Sequence, residues 1–322
     1  MEQLIDDRLA GKTIAAIVRV LRPEVPWSKA RKWCQAGRVT VDGEVVRDAA
    51  ARVAHGARVV LGAPQRDASK DIEFVALDRH FVVVDKPAGL VTVPYVTRGD
   101  PRGKAGDEDT LRGRVHMQLR RRTGSTPPPR VVQRLDRDTS GVMIFARTSQ
   151  AERALQQQLR THDVDREYVA LCWGRAASVK HDTHLIADRG DRRRGSSRRP
   201  GRPEQGAKRA ITDVRVLEYF PDHDITLVAC RLHTGRQHQI RIHLGEAGNP
   251  LLGERVYTGP LELDRAAWSK DHDPKHADLG VTRTMLHARR LGIEHPTSGE
   301  AQLFTSDPPP DFAGVLSRLR RA

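Results

Sequence analysis

The stretch Val131–Thr148, VVQRLDRDTSGVMIFART, sets Arg134, Asp136, Arg137 and Asp138 between two apolar runs. Short apolar runs bounded by turn-forming residues read as buried strands. Asp, Thr, Ser and Gly are ordinary turn residues, so taken alone this corner reads as structure. A turn has no need of two carboxylates and two guanidiniums, and that excess marks the corner as a place where chemistry is possible. Ser149 and Glu152 then have the spacing of a capping box, and Leu155 and Leu159 carry a helix onward.

The surrounding chain has 322 residues, enough for a large domain and a small one with a sizeable core. Lys and Arg total 55 against 41 Asp and Glu, a net charge of +14. That surplus points to a polyanionic partner, most simply nucleic acid. The three cysteines, Cys34, Cys172 and Cys230, are far apart and form no C-x-x-C pair, so neither a disulfide framework nor a thiolate zinc site is indicated. No segment reaches the roughly 18 apolar residues of a membrane span. The charged N-terminus lacks the apolar core of a signal peptide. A cytoplasmic protein, monomeric and independent of membranes, is the expectation.

At the N-terminus, Ile14, Ile17, Val18 and Leu21 form the stripe of an amphipathic helix. Ser28 is expected to cap a second helix that stops at Gly37. In RVTVDGEVV a hairpin turns at Asp42-Gly43, and ARVVLG adds a strand near residue 60. Two helices before a small sheet, with Lys29, Arg31, Lys32 and Arg38 clustered where helix meets hairpin, resemble the S4 RNA-binding domain. The resemblance implies that these four residues contact RNA. Trp33 is expected in the core.

The expected organisation is an S4-like domain over 1–64, a linker over 65–73 and a second domain over 74–322. In the second domain, FVVVDKPAGLVTV predicts a buried strand, a turn at Lys86–Gly89 and another strand. Residues 95–109 predict a loop and TLRGRVHMQLRRR a helix. Strands and helices follow in mixed order, an α+β pattern with a large mixed or mainly antiparallel sheet. Between 189 and 209, nine basic residues face two acidic ones among Gly, Ser and Pro, a basic insertion expected to be loosely ordered and to attract phosphates.

Two further segments carry candidate residues. REYVALCWG is an alternating strand with Tyr168, Ala170 and Cys172 on one face. LHTGRQHQIRIHLGEAGNPLLGERVY spaces His233, His238 and His243 by five. If that segment is extended, the odd step puts His238 on the face opposite the other two, so a metal site is not indicated. What remains is a Gly turn presenting Arg236 and a polar–apolar alternation.

Together RLDRDTSGVMIFA, REYVAL, this third segment and DKPAGL resemble the RluA-type family of RNA pseudouridine synthases. LHARRLGIEHPTSGE resembles that family's closing hairpin, and the match runs from about Phe74 to Phe312. The resemblance implies a pseudouridine synthase fold and the isomerisation of uridine to pseudouridine in structured RNA, ribosomal rather than transfer RNA given the S4-like head. That reaction has no redox, hydrolytic or phosphoryl-transfer step, so no metal or other cofactor is expected. It needs a carboxylate at the glycosidic bond, by resemblance Asp136. A carboxylate shielded from water tends to take up a proton, and a nearby guanidinium reverses that tendency. The resemblance assigns this counter-charge to Arg236. It also implies Tyr168 as the wall that stacks on uracil, Ile240 as an apolar contact to the base, and Arg134 as the filler of the space a flipped uridine leaves. Lys86 is expected to be structural.

Gln133 departs from the family's usual His before Arg-Leu-Asp, and Glu254 stands where Asp is usual. Gln133 leaves open a catalytically silent RNA-binding or assembly factor of the same fold, against which the intact Asp136, Tyr168 and Arg236 argue. A glycoside hydrolase would want two flanking carboxylates, which Asp136 and Asp138 in a single turn do not supply.

Overall fold

The computed structural model describes residues 1–63, 71–94, 109–161, 164–197, 204–258 and 279–321. The chain divides into two units, Met1–Asp71 and Ile72–Ala322. Most of the expected linker, nearly all of the 95–109 loop and the centre of the basic insertion lie outside the described residues.

In the first unit, Thr13 caps helix α1 (Ile14–Leu21) by accepting the Ala16 N–H on its hydroxyl. Helix α2 (Trp27–Gln35) begins before the expected Ser28 cap: Pro26 holds the cap position in an extended conformation, and Ser28 lies in the first turn. Strands β1 (Glu2–Leu4), β2 (Val39–Val41), β3 (Glu44–Val45) and β4 (Arg58–Leu61) form an antiparallel sheet in the order β1-β4-β2-β3. Asp42 and Gly43 both have positive φ, as the two-residue hairpin turn requires. Ile14, Ile17, Val18, Ala30, Cys34, Val39 and Val59 are buried in this unit's core.

The second unit is α+β, built on a sheet of 11 described strands. Its strands are β5 (Glu73–Leu77), β6 (Phe81–Lys86), β7 (Arg130–Val131), β8 (Ser140–Ala146), β9 (Asp165–Trp173), β10 (Val179–Ile186), β11 (Gly195–Ser196), β12 (Lys208–Phe220), β13 (Ile225–Leu232), β14 (Leu286–Glu294) and β15 (Ala301–Thr305). The main path runs β11-β10-β12-β13-β9-β14-β8-β6-β5, with β15 on β14 and β7 on β8. Only the β14–β8 pairing is parallel among those described. Helices α3 (Leu111–Thr123), α4 (Ser149–Thr161), α5 (Gln239–Glu246) and α6 (Pro310–Leu319) accompany the sheet.

Strand β8 is buried along its whole length, which explains its unbroken apolar run. Met143 and Phe145 join the cluster that includes Tyr168, Ala170, Cys172 and Ile240, whereas Val142 and Ile144 pack with Leu155 of α4. Alternation along β9 likewise sends Val169 and Leu171 to a separate cluster with Phe312 and Val315 of α6.

Four local expectations are corrected. Residues 90–93 form no strand: the Val91 and Thr92 carbonyls accept the Leu111 and Arg112 N–H groups, which the start of α3 would otherwise leave unpaired. Thr148, not Ser149, caps α4, its hydroxyl accepting the Ala151 N–H at 3.1 Å, and Glu152 pairs with Arg130 at 2.9 Å. Residues 239–246 are helical, so the strand alternation read there does not apply. The flanks of the basic insertion are ordered: Asp188 Oδ1 accepts the Gly190 and Arg192 N–H groups, Gly195–Ser196 pairs with β10, and Lys208 opens β12.

Candidate active site

The corner between β7 and β8 is held from several sides. Lys86 is fully buried and its Nζ donates to the carbonyls of Pro87, Arg137 and Thr139 at 3.0, 2.8 and 2.7 Å. Burial pulls its ammonium down to about 7, against the attraction of Asp138 and Asp136. Arg283 donates to the Asp138 carbonyl and, from Nη2, to the Ser140 hydroxyl, and is itself held by Asp311 of α6. The Thr92 hydroxyl donates to the Leu135 carbonyl. Gly141, at φ +115°, is required: a Cβ there would lie 2.2 Å from the Ala288 carbonyl oxygen.

So fixed, the Asp136 side chain is about one-quarter exposed (26%) and meets Arg241, whose Nη1 donates to Oδ2 at 3.3 Å. The counter-charge expected at Arg236 is therefore supplied by Arg241. Helix α5 explains the change, because it turns Arg241 toward the corner and leaves Arg236 in the preceding turn. Arg236 is exposed, and its Nε donates to the Arg209 carbonyl at 3.0 Å.

Arg241 is anchored on its other side by Glu254, with Nε–Oε2 at 2.6 Å and Nη2–Oε1 at 2.7 Å. Glu254 is fully buried and also accepts the N–H groups of Arg255 and Val256. Burial alone would raise its carboxyl; the hydrogen bonds and charge of Arg241 hold it below the usual range instead. His238 faces the other carboxylate oxygen, with Nε2 3.7 Å from Asp136 Oδ1, while Nδ1 lies 2.8 Å from the Tyr257 hydroxyl. Burial pulls this imidazole down despite the attraction of Asp136. The sequence reading did not single out Arg241 or Tyr257, and it weighed His238 only as a metal ligand. The signal for Arg241 was a charged residue inside an apolar run, QIRIHL, which only a helical reading turns toward Asp136.

Asp136 opens onto a cleft of about 670 Å³ that Arg134, Tyr168, Arg236, Gln133 and Leu232 also line. Tyr168 is buried to 9% exposure, and burial pushes its phenol up, so the ring offers a neutral face. Ile240 does not line the cleft; it is buried in the core beneath, with Tyr168 and Leu244. Arg134, Asp136, Tyr168 and Arg236 thus line one cleft, whereas Ile240 lies in the core and Arg241 reaches Asp136 from outside the lining.

In the first unit, Lys29, Arg31 and Lys32 are exposed on α2, and Arg38 is half-buried with its Nε bonded to the Gly62 carbonyl. Trp33 packs partly into the core, with Arg38 and Lys29 over its ring at 4.4 and 5.5 Å. This leaves a basic face on the helix.

Residues 80–246 match the family model described as RNA pseudouridylate synthase, and residues 14–59 match that of the S4 domain. A Xanthomonas campestris protein named ribosomal large subunit pseudouridine synthase D is 36% identical over 99% of this chain and 92% of its own length. A protein of the same name from Pseudomonas aeruginosa is 34% identical over 97% and 93%. The solved structure of human RNA pseudouridylate synthase domain containing 4 shares the fold, with a TM-score of 0.59 and 24% identity over 77% of this chain and 93% of that one. Kinship along nearly the whole length, with the matched segment enclosing Asp136, Tyr168 and Arg241, places the chain in the RNA pseudouridylate synthase family, enzymes that isomerise uridine to pseudouridine in RNA.

Proposed function

We propose that the chain modifies ribosomal RNA, acting in the cytoplasm as a monomer, with Asp136 as the carboxylate that attacks or stabilises C1′ of the target uridine. The observation that carries this reading is the Asp136–Arg241–Glu254 chain, whose Asp136 lines a cleft together with Tyr168. The names of the long-range relatives and the basic face of the S4-matched unit favour ribosomal RNA.

The reaction conserves every atom. The C1′–N1 bond breaks, the uracil turns on Tyr168, C5 joins C1′, and the proton lost from C5 is balanced by one gained at N1. Arg241 orients the Asp136 oxygens through a charge-assisted hydrogen bond, and Glu254 stops that guanidinium from swinging away. Arg134, exposed at the rim, fills the gap the extruded base leaves, and Lys29, Arg31, Lys32 and Arg38 grip the RNA backbone. Ile240 supports the base from below by holding Tyr168 in place.

An unmodified large-subunit ribosomal RNA transcript, incubated with wild type or Asp136→Asn and mapped by carbodiimide-stop primer extension, tests the reading. Stops in the wild-type lane alone are expected. Identical lanes would leave the chain an RNA binder. A sedimentation measurement on the free protein checks the monomer.

A further inference from the structure

Arg166 is a buried cation that makes no ion pair among the described residues. It is 6% exposed and lines the same cleft as Asp136. Its Nη2 makes one long hydrogen bond, 3.4 Å to the His233 carbonyl, and its Nε has no partner among the described residues. The adjacent carboxylates are committed elsewhere: Asp165 pairs with Arg231 and Arg290 at 3.3 and 2.7 Å, and Glu167 with Arg289 at 3.8 Å. Strand alternation in β9 accounts for this, keeping Arg166 with Tyr168. Gly235 makes room for it, since a Cβ there would sit 2.7 Å from Arg166 Nη1. Next to that glycine stands Arg236, also lining the cleft and making no ion pair among the described residues. Among the described residues the cleft is lined by five arginines, Arg134, Arg137, Arg160, Arg166 and Arg236, against the single carboxylate of Asp136.

A buried charge without a partner costs several kcal/mol in a free protein. Two guanidiniums held near each other also repel, and burial together with Arg236 pulls the Arg166 guanidinium down. An arrangement so unfavourable when empty is relieved by an anion with several acceptor oxygens. We infer that Arg166 and Arg236 form a receptor for a backbone phosphate of the RNA next to the target uridine, an inference that rests on the proposed function. The pair fixes the sugar by its phosphate while the uracil turns, so that C1′ stays aimed at Asp136.

The test uses the full chain and an unmodified large-subunit ribosomal RNA transcript, with filter-binding affinity measured across salt concentrations. Arg166→Met and Arg236→Gln should each flatten the slope of log affinity against log salt by about 0.7–0.9 and weaken binding by roughly three- to tenfold. Arg79→Gln, an exposed arginine outside both the cleft lining and the basic insertion, should leave the slope as in wild type. Without RNA, Arg166→Met should unfold no lower than wild type, because it removes an unpaired buried charge. Unchanged slopes in both cleft variants overturn the inference, as does an equal flattening by Arg79→Gln. Arg166→Met that melts earlier with an unchanged slope would mark Arg166 as packing only. A wild type that binds but forms no pseudouridine defeats the proposed function, while the slopes still decide the phosphate receptor.

Discussion

Arg241 and Asp136, 105 residues apart in the chain, meet at 3.3 Å, and the same guanidinium is clamped at 2.6 and 2.7 Å by Glu254. One planar cation thus joins two carboxylates, one fully buried and one open to the cleft. A lysine presents a point charge and cannot serve both in fixed geometry. Arg241→Lys is therefore expected to lower kcat about 100-fold or more, with a smaller change in KM. Single-turnover assays of pseudouridine formation measure this.

Glu254→Gln leaves Arg241 buried with a neutral partner, and breaking a buried pair costs about 3–5 kcal/mol. Because Arg241 holds the Glu254 carboxyl below its unfolded value, the pair's stabilisation is present above the unfolded pKa and fades as pH falls through the folded one. Urea unfolding of wild type and variant should show a large gap at neutral pH that narrows in acid.

Lys86 has the opposite linkage. Its folded value of about 7 lies below the ordinary lysine value of 10.5, so between these the unfolded chain binds more protons. Stability should rise with pH across that window, by at most about 1.4 kcal/mol per pH unit. Lys86→Met should remove this contribution to the slope, as measured by urea midpoints between neutral pH and pH 10.

Tyr168→Ala should weaken RNA binding by about 1–3 kcal/mol, the worth of one aromatic platform under a base. Tyr168→Phe keeps the platform and should bind within about twofold of wild type. A lower kcat in the Phe variant would place proton handling on the hydroxyl, which binding and single-turnover rates measured side by side resolve.

Gly141→Ala puts a methyl 2.2 Å from the Ala288 carbonyl oxygen at a φ of +115°. The parallel β14–β8 contact pairs Gly141 with Ala288, so relief requires the strands to part. A loss of several kcal/mol is expected, read as a lower melting temperature or poor recovery of folded protein.

Much of the fold was legible in the sequence because it rests on local periodicity. The β8 run, the β9 alternation, the α1 stripe and the Asp42-Gly43 turn each have one sterically favoured outcome. Errors arose where distant partners decide. Val91 and Thr92 look like strand residues, but their carbonyls are taken by the start of α3. By residue type Ser149 is a slightly better cap than Thr148, yet the backbone path selected Thr148.

The sequence by itself determined the chemistry on offer: a carboxylate in a corner between buried strands, an aromatic strand, a basic N-terminal helix and an excess of arginine. Which arginine faces Asp136 was decided only by tertiary structure. Within GRQHQIRIH the two candidates differ by direction alone, and direction follows from the helical turn of α5 against Glu254 and the core. Spacing along a chain records possible neighbours, while burial and charge pairing across 105 residues select among them.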